Sequence, residues 1–330
     1  MKTININSDV LSKAIQNIIG VVERKQTMPI LSHILIEGKE GNLTFTSTDL
    51  EVQLSTEIKV NTEAGDFLTT APGRKLYEII RSLNNKELSI SISDTDLTIE
   101  SSSSKFKLQS LPPNEFPLFE ATADETSFVV KQAQLRTLFH KTHFAMAQQD
   151  VRYYLNGLML EILPDKIKAV ATDGHRLAYD ETDTQASVSE DRQIIIPRKG
   201  VTELIRLLQT SQCDADIKVS KNHIHVVSGN LSFTSKLIDG KFPDYQRVIP
   251  KLSDTIIVAD RKNLKNSLAR VSILSNEKYR GVKISFSEDT LEILAHNPEK
   301  EEAKEEVSVT YQGDAMEIGF NVSYLIDALT

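Results

Sequence analysis

Apolar and polar residues alternate in three stretches spaced equally along the chain: Leu43-Thr-Phe45-Thr-Ser47-Thr-Asp49, Ile167-Lys-Ala169-Val-Ala171-Thr-Asp173 and Leu291-Glu-Ile293-Leu-Ala295-His-Asn297. The step between their final residues is 124 both times. A period of two marks a strand with one buried face, and a short polar residue at its end suits the entry to a turn. Solenoid units are roughly 20–50 residues long, so this longer period is that of a small domain. The pattern predicts three copies of one domain in series.

Each copy opens on a strand and an amphipathic helix. In the first, Thr3–Ile6 precedes an apolar helical face at Leu11, Ala14, Ile15, Ile18, Ile19 and Val22, with Ser8 or Asp9 as the expected N-cap. Adding the period gives Leu135, Leu138, Phe139, Thr142, His143 and Met146, and the third copy offers Thr255–Val258 followed by Leu264, Leu268 and Val271. A second helix follows in each copy, after Pro72 and Pro197 in the first two and through Leu325, Ile326 and Leu329 in the third. From Ile79 to the Phe116-Pro117 pair is 37 residues, and from Ile205 to Phe242-Pro243 is also 37. The same step from Ile326 runs past Thr330, so the third copy is expected to lack about its last two strands and to leave apolar surface and a sheet edge uncovered. The expected fold is α+β: three tandem domains, 1–125, 126–253 and an incomplete 254–330, each with helices packed on antiparallel sheets.

Charge changes this picture. The chain carries −8 overall, which argues against a simple nucleic-acid binder. The helical windows 9–26, 71–83, 131–145, 196–208 and 260–281 nevertheless carry +1, +2, +3, +2 and +4, which leaves −20 on the remainder. Basic helices on an otherwise acidic protein suit weak, sequence-blind contact with a polyanion, provided that the helices share one side. The single cysteine, Cys213, excludes an internal disulfide and a cysteine zinc cluster. The chain shows no signal core and no run long enough to span a membrane, so a cytoplasmic location is expected.

Two segments carry a specific resemblance: Met146-Ala-Gln-Gln149-Asp150-Val-Arg152-Tyr153-Tyr154-Leu155-Asn156-Gly157 and Ala171-Thr-Asp173-Gly174-His175-Arg176-Leu177-Ala178. Pro197–Gly200, Ser232–Lys236, Phe242–Tyr245 and Ile273–Lys278 support them. Together they resemble the bacterial DNA sliding clamps, the beta subunits of replicative DNA polymerase III. The resemblance implies a head-to-tail homodimer closed as a ring around duplex DNA, with three domains per chain and helices lining the hole. It implies a non-enzymatic processivity factor, without cofactor or metal, that tethers the replicative polymerase, the clamp loader and other DNA polymerases or repair proteins through short linear motifs.

For DNA contact the resemblance points to Arg24, Gln149, Tyr153 and Tyr154, with Arg198 and Lys199 as basic neighbours. A competing reading places Tyr153 and Tyr154 at alternate strand positions, with one ring buried. For partner peptides it points to a shallow apolar pocket at Leu155, Thr172, Gly174, His175, Arg176, Leu177, Pro243, Arg247 and Val248. For the dimer it sets Phe106 and Leu108 against Ile273 and Leu274, with Lys75, Lys105 and Lys107 facing Glu299, Glu301 and Glu302.

Two other classes compete. A metal-dependent nuclease would also want a basic surface, but it needs clustered carboxylates, and the acidic residues here are scattered or lie in the run 299–306. The Asp173-Gly-His175-Arg176 group lacks a nucleophile motif, and His140 with His143 lacks a third ligand at usable spacing. The other alternative is a monomeric repeat scaffold that binds only proteins.

Overall fold

The computed structural model describes residues 2–22, 28–60, 65–83, 87–119, 126–186, 191–250 and 255–330. Asn7, rather than Ser8 or Asp9, starts the first helix. Its side-chain oxygen accepts hydrogen bonds from the backbone N–H of Asp9 at 3.0 Å and Val10 at 3.4 Å. Two donors left over at the helix start are thereby satisfied.

The first repeat runs β1 (Lys2–Asn7), α1 (Ser8–Ile18), β2 (His33–Lys39), β3 (Asn42–Thr48), β4 (Val52–Lys59), β5 (Phe67–Pro72), α2 (Gly73–Ser82), β6 (Glu87–Ile92), β7 (Asp96–Ser101) and β8 (Ser104–Gln109). The second runs β9 (Thr126–Lys131), α3 (Gln132–Thr142), β10 (Gly157–Ile162), β11 (Lys166–Thr172), β12 (Leu177–Asp183), β13 (Gln185–Ala186), β14 (Arg192–Pro197), α4 (Arg198–Leu207), β15 (Asp214–Val219), β16 (His223–Ser228) and β17 (Leu231–Lys236). The third runs β18 (Val258–Ala259), α5 (Arg261–Val271), β19 (Gly281–Ser287), β20 (Thr290–His296), β21 (Glu302–Thr310), β22 (Met316–Asn321) and α6 (Val322–Ala328). The three strands that reveal the period, β3, β11 and β20, begin at residues 42, 166 and 290, 124 apart. The strand expected over Thr255–Val258 is shorter, with only Val258 and Ala259 paired.

Among the described residues every strand pair is antiparallel. In the first repeat one sheet has the order β5-β2-β3-β4 and the other β1-β6-β7-β8. The second repeat matches it with β14-β10-β11-β12 and β9-β15-β16-β17. Each leading helix lies on the same two strands of its repeat: α1 on β3 and β4, α3 on β11 and β12, α5 on β20 and β21. The buried face of α1 is Leu11, Ala14, Ile15 and Ile18, and α3 buries Leu135, Leu138 and Phe139 in the same way.

The repeat persists in single hydrogen bonds. In α2, Arg74 donates to the carbonyl of Val22 at 2.6 Å, and in α4 Arg198 donates to that of Met146 at 3.0 Å. Val22 and Met146 are themselves 124 apart. In both repeats an arginine in the first turn of the second helix thus holds the carbonyl just past the first.

The chain divides into two compact units, Met1–Pro243 and Asp244–Thr330. The first two repeats fall together because β17 pairs with β4, which fuses their sheets into one of nine strands. At this joint Phe233 lies opposite Leu54 and both are buried. Of the expected boundaries, that at 125/126 meets residues 120–125 and that at 253/254 meets residues 251–254, both outside the described residues.

The third repeat has the five-stranded sheet β18-β21-β20-β19-β22 and no second four-stranded sheet among the described residues. The consequence appears on β22. In the first repeat the stretch after β8 closes over β5 through Thr70 Oγ1, which donates to Leu111 O at 2.8 Å. In the second, Ile238 N donates to Ile195 O on β14 at 2.9 Å. Among the described residues nothing equivalent meets β22, and Met316, Ile318 and Phe320 are exposed.

Candidate functional site

The polar residues that end the periodic strands are turn caps. Asp49 Oδ1 accepts from Glu51 N at 2.9 Å and Val52 N at 2.7 Å. Asp173 Oδ1 repeats this with His175 N at 2.9 Å and Arg176 N at 3.0 Å. Asn297 Oδ1 accepts from Glu301 N at 2.9 Å. A short side chain reaching its own backbone two to four residues on fixes the turn without help from the rest of the fold.

The Asp173 turn brings five expected pocket residues together. Thr172 Oγ1 donates to Arg176 O at 2.6 Å and accepts from Gly174 N at 3.1 Å. Gly174 has φ +89°, where a side chain would be strained. Arg176 pairs with Asp173 at 3.1 Å, donates to Phe144 O at 2.7 Å and stacks over the Phe144 ring at 5.5 Å. These contacts leave His175 exposed and Leu177 half-buried beside it. Leu155 departs from the expectation. It is only 1% exposed, buried within the second repeat. Pro243 is exposed at the end of the first unit. In the second unit Val248 is exposed and Arg247 pairs with Asp244 at 2.7 Å.

The other recognisable segment forms a tight turn between α3 and β10. Its base is closed by Ala147 N donating to Leu155 O at 3.0 Å, and by Asn156, whose side chain bonds both Asp150 N and Asp150 O at 2.9 Å. Gln149 sits at φ +57° and is exposed. Tyr153 and Tyr154 lie in a single 3-10 turn, Tyr153–Leu155, rather than on a strand. Tyr153 is exposed and Tyr154 half-buried, with their rings edge to face at 5.9 Å, so neither is lost to the core. Arg152, not anticipated from the sequence, donates to both carboxylate oxygens of Asp150 at 3.0 and 2.8 Å and to Asp173 O at 3.2 Å. Its guanidinium holds the Asp150 carboxyl down to about 2, so the pair stays ionised at any working pH.

The basic residues are less free than their count implies. Arg198 is half-buried and spends a guanidinium N–H on Met146 O. Lys199 forms an ion pair with Asp49, whose side chain is only 1% exposed. Arg206 donates to Asn17 O at 2.6 Å, past the middle of α1, and Arg136 to Ile205 O at 3.3 Å near the end of α4. Cations at helix C-termini are favoured by the carbonyls left unpaired there. Several of the charges that make the helices basic therefore also build the fold. Arg24 lies outside the described residues.

The residues expected at a dimer contact occupy two sheet edges and a turn. On β8, Lys105 pairs with Glu100 at 2.6 Å and Lys107 with Asp96 at 3.0 Å, which keeps the Asp96 carboxyl below its ordinary range. Phe106 is half-buried, whereas Leu108 is buried in the core of its own repeat and has little surface to offer a partner. In the second unit Ile273 is 77% exposed and Leu274 half-buried. Glu299, Glu301 and Glu302 are exposed.

Lys75 is exposed and contributes to a nearby effect. The buried His33, bonded through Nδ1 to Thr70 Oγ1 at 3.1 Å, has its pKa pushed down to about 4 by burial, and the Lys75 charge adds to this. The unfolded chain therefore takes up this proton first as pH falls below 6.5, and the native state loses stability between pH 6.5 and about 4. Urea unfolding at pH 7 and pH 5 is expected to differ by about 2 kcal/mol more in the native sequence than in His33→Gln.

His143 Nδ1 lies 3.0 Å from His140 O and faces backbone carbonyls rather than a ligand site. Among the described residues no group of three or more His, Cys, Asp or Glu side chains is placed to hold a metal. No helix among them is long and apolar enough to cross a membrane.

Comparison with known proteins bears on every repeat. Three family models match in order: the N-terminal domain of the DNA polymerase III beta subunit at residues 2–120, the central domain at 129–244 and the C-terminal domain at 246–330. The beta sliding clamp of Pseudomonas aeruginosa is 46% identical over 325 residues, covering 98% of this chain and 89% of that protein. The beta sliding clamp of Escherichia coli is 41% identical over 320 residues, covering 97% and 87%. A crystal structure of the Pseudomonas aeruginosa clamp bound to griselimycin superposes with a TM-score of 0.95 at 45% identity, covering 99% of this chain and 89% of that one. The Caulobacter crescentus clamp, with PEG bound to its putative beta-motif tethering region, gives 0.92 at 36% identity, covering 99% and 89%. Three matched domains in family order, together with this level of identity along almost the whole chain, show that the protein belongs to the DNA polymerase III beta subunit family, the bacterial beta sliding clamps.

Proposed function

We propose that two copies of this chain join head to tail into a ring that encircles duplex DNA, slides on it and tethers the replicative polymerase and other partners. The observation that carries this reading is the joint between β17 and β4. It is a sheet-to-sheet contact between successive repeats, closed over Phe233 and Leu54. The counterpart of β17 in the first repeat is β8. Ser93 and Ser220 cap the turns before β7 and β16 alike, each at 3.1 Å, which aligns Phe106 with Phe233. The counterpart of β4 in the third repeat is β21, where Ala303 takes the place of Leu54. β8 has no strand on its outer side, and β21 is paired there only at Val309 and Thr310, among the described residues. Repeating the joint between two chains sets Phe106 opposite Ala303 and Lys107 opposite Glu302.

In this reading the domains span 1–125, 126–253 and 254–330. Arg24, Gln149, Tyr153 and Tyr154 meet the DNA backbone, and Arg198 and Lys199 contribute positive potential while holding the fold. A ring holds DNA by enclosure, so weak phosphate contacts suffice and leave it free to slide. His175, Arg176, Leu177, Thr172, Gly174, Pro243, Arg247 and Val248 receive the linear motifs of partners, with Leu155 behind them. Apolar anchors with a few polar groups are what a short peptide needs. Ile273 and Leu274 pack against Phe106 across the dimer contact, and Leu108 backs that contact from its own core. The protein has no catalytic role of its own, needs no cofactor and acts in the cytoplasm. The test is primer extension on a long single-stranded circle by a replicative polymerase with its loader. Adding this protein should lengthen the product of a single binding event, and unchanged product length would refute the reading.

A further inference from the structure

One arginine of the second repeat holds the first. Arg206, in α4, donates to Asn17 O at 2.6 Å and to Gln16 O at 3.4 Å, near the end of α1. Glu203 pairs with Arg206 at 2.7 Å and steers its guanidinium. Gly20, just past α1, leaves room for both. A Cβ there would come within 2.8 Å of Glu203 Oε2 and 3.2 Å of Arg206 Nη2. Because α1 lies on β4, this is the helix side of the joint that β17 and β4 close in the sheet.

Both sides of the contact have a counterpart elsewhere in the chain. The helices α2 and α4 have ten residues each, with Glu sixth and Arg ninth: Glu78 and Arg81 in α2, Glu203 and Arg206 in α4. The helices α1 and α5 have eleven residues each, with buried side chains at the seventh, eighth and eleventh positions. Gln16 and Asn17 therefore correspond to Ala269 and Arg270, and Gly20 to Ile273. Arg81 has no such contact within its own chain. It is exposed, stacks over the Tyr77 ring at 5.5 Å and makes no hydrogen bond to a described residue. At the end of α5 the Arg270 guanidinium is turned onto Glu305 at 2.5 Å, and Ile273 stands exposed.

We propose that Arg81 reaches across the dimer joint and donates to the backbone carbonyls of Ala269 and Arg270 of the partner subunit, as Arg206 does to Gln16 and Asn17 within the chain. The inference rests on the sliding-clamp reading above. The last carbonyls of a helix carry partial negative charge, and a guanidinium fork can span two successive ones. The two joints differ at one point. Where Gly20 makes room for a carboxylate, Ile273 brings an apolar side chain. With Arg81 drawn over Tyr77 rather than onto Glu78, that space stays open for Ile273 of the partner subunit. The same cap thus serves the fold in one joint and the assembly in the other.

The test compares the full-length native chain with Arg81→Ala, Arg81→Lys and Arg206→Ala. Sedimentation equilibrium gives the dimer dissociation constant, and urea unfolding is followed at a concentration where each chain is monomeric, so that dissociation does not enter. Arg81→Ala should raise the dissociation constant about tenfold, because a closed ring loses the cap at both joints, and should leave the urea midpoint where it was. Arg81→Lys keeps the charge without the fork and should fall between. Arg206→Ala should do the reverse, lowering the urea midpoint with little change in dimerisation. An unchanged dissociation constant in Arg81→Ala overturns the proposal and leaves the sliding-clamp reading standing. So does a fall in its urea midpoint to match that of Arg206→Ala, because Arg81 would then serve its own chain. A native chain that stays monomeric at every concentration overturns the sliding-clamp reading and the proposal with it.

Discussion

Replacing Ile273 and Leu274 together by alanine should turn the dimer into monomer at low micromolar concentration. Ile273 is 77% exposed on the isolated chain, in a 3-10 turn directly after α5, which is where a partner would cover it. Apolar anchors at the centre of an interface typically cost about 2 kcal/mol or more each when truncated. A two-fold closed ring repeats every contact at both joints, so the penalty counts twice. Two anchors at two joints give an expected loss of about 8 kcal/mol, which weakens association roughly a millionfold. Leu274 is half-buried and contributes to its own fold. The single variant Ile273→Ala therefore accompanies the double one, with the same direction and about half the effect. Sedimentation reads both, and a double variant that remains dimeric contradicts the interface assigned here.

Reversing the charge of Lys199 should destabilise the fold before it affects DNA. The ammonium of Lys199 sits on Asp49 Oδ2, and Asp49 Oδ1 is already spent on two backbone N–H groups. Lys199→Glu sets a second carboxylate against a buried one. Breaking a fully buried ion pair costs about 3–5 kcal/mol; here Asp49 is buried but the Lys199 side chain is 39% exposed, so solvent screening brings the cost below that range. Urea unfolding should show this loss in Lys199→Glu and a smaller one in Lys199→Met. The sequence alone suggests a different result, namely that reversing Arg24 and Lys199 weakens retention on DNA and leaves the fold intact. The ion pair with Asp49 argues for an effect on the fold at Lys199. Unchanged stability in Lys199→Glu would show that the pair contributes nothing.

The repeat was legible because its signals are local. Alternating apolar positions, the 124-residue step and the aspartates that end β3 and β11 depend on a residue and its near neighbours in the chain. The turn caps at Asp49 and Asp173 follow from the same short range. What the charge pattern could not disclose is where each cation goes. Arg74, Arg198 and Arg206 read as surface charge in a composition count, yet each holds a carbonyl distant in sequence. The pairing of Lys199 with Asp49 spans two repeats, and no window of sequence contains both partners. The 3-10 turn at Tyr153–Leu155 was hidden for another reason, since adjacent aromatic residues fit a strand equally well by propensity. Leu108, expected at the dimer contact, is buried in the core of its own repeat, while Phe106, two residues away, is half-buried. Both lie on the same face of β8, so alternation cannot tell them apart; the core of the repeat covers Leu108 fully and Phe106 only in part.

Retention on DNA of two topologies tests the central claim most directly. The protein is loaded onto nicked circular duplex with the clamp loader and ATP, freed of loader by gel filtration, and followed as the circle is cut once. It should remain on the intact circle at a salt concentration that abolishes ordinary phosphate binding, and leave within minutes when a cut gives it an end to slide from. Equal dissociation from circular and linear DNA would contradict a hold based on enclosure.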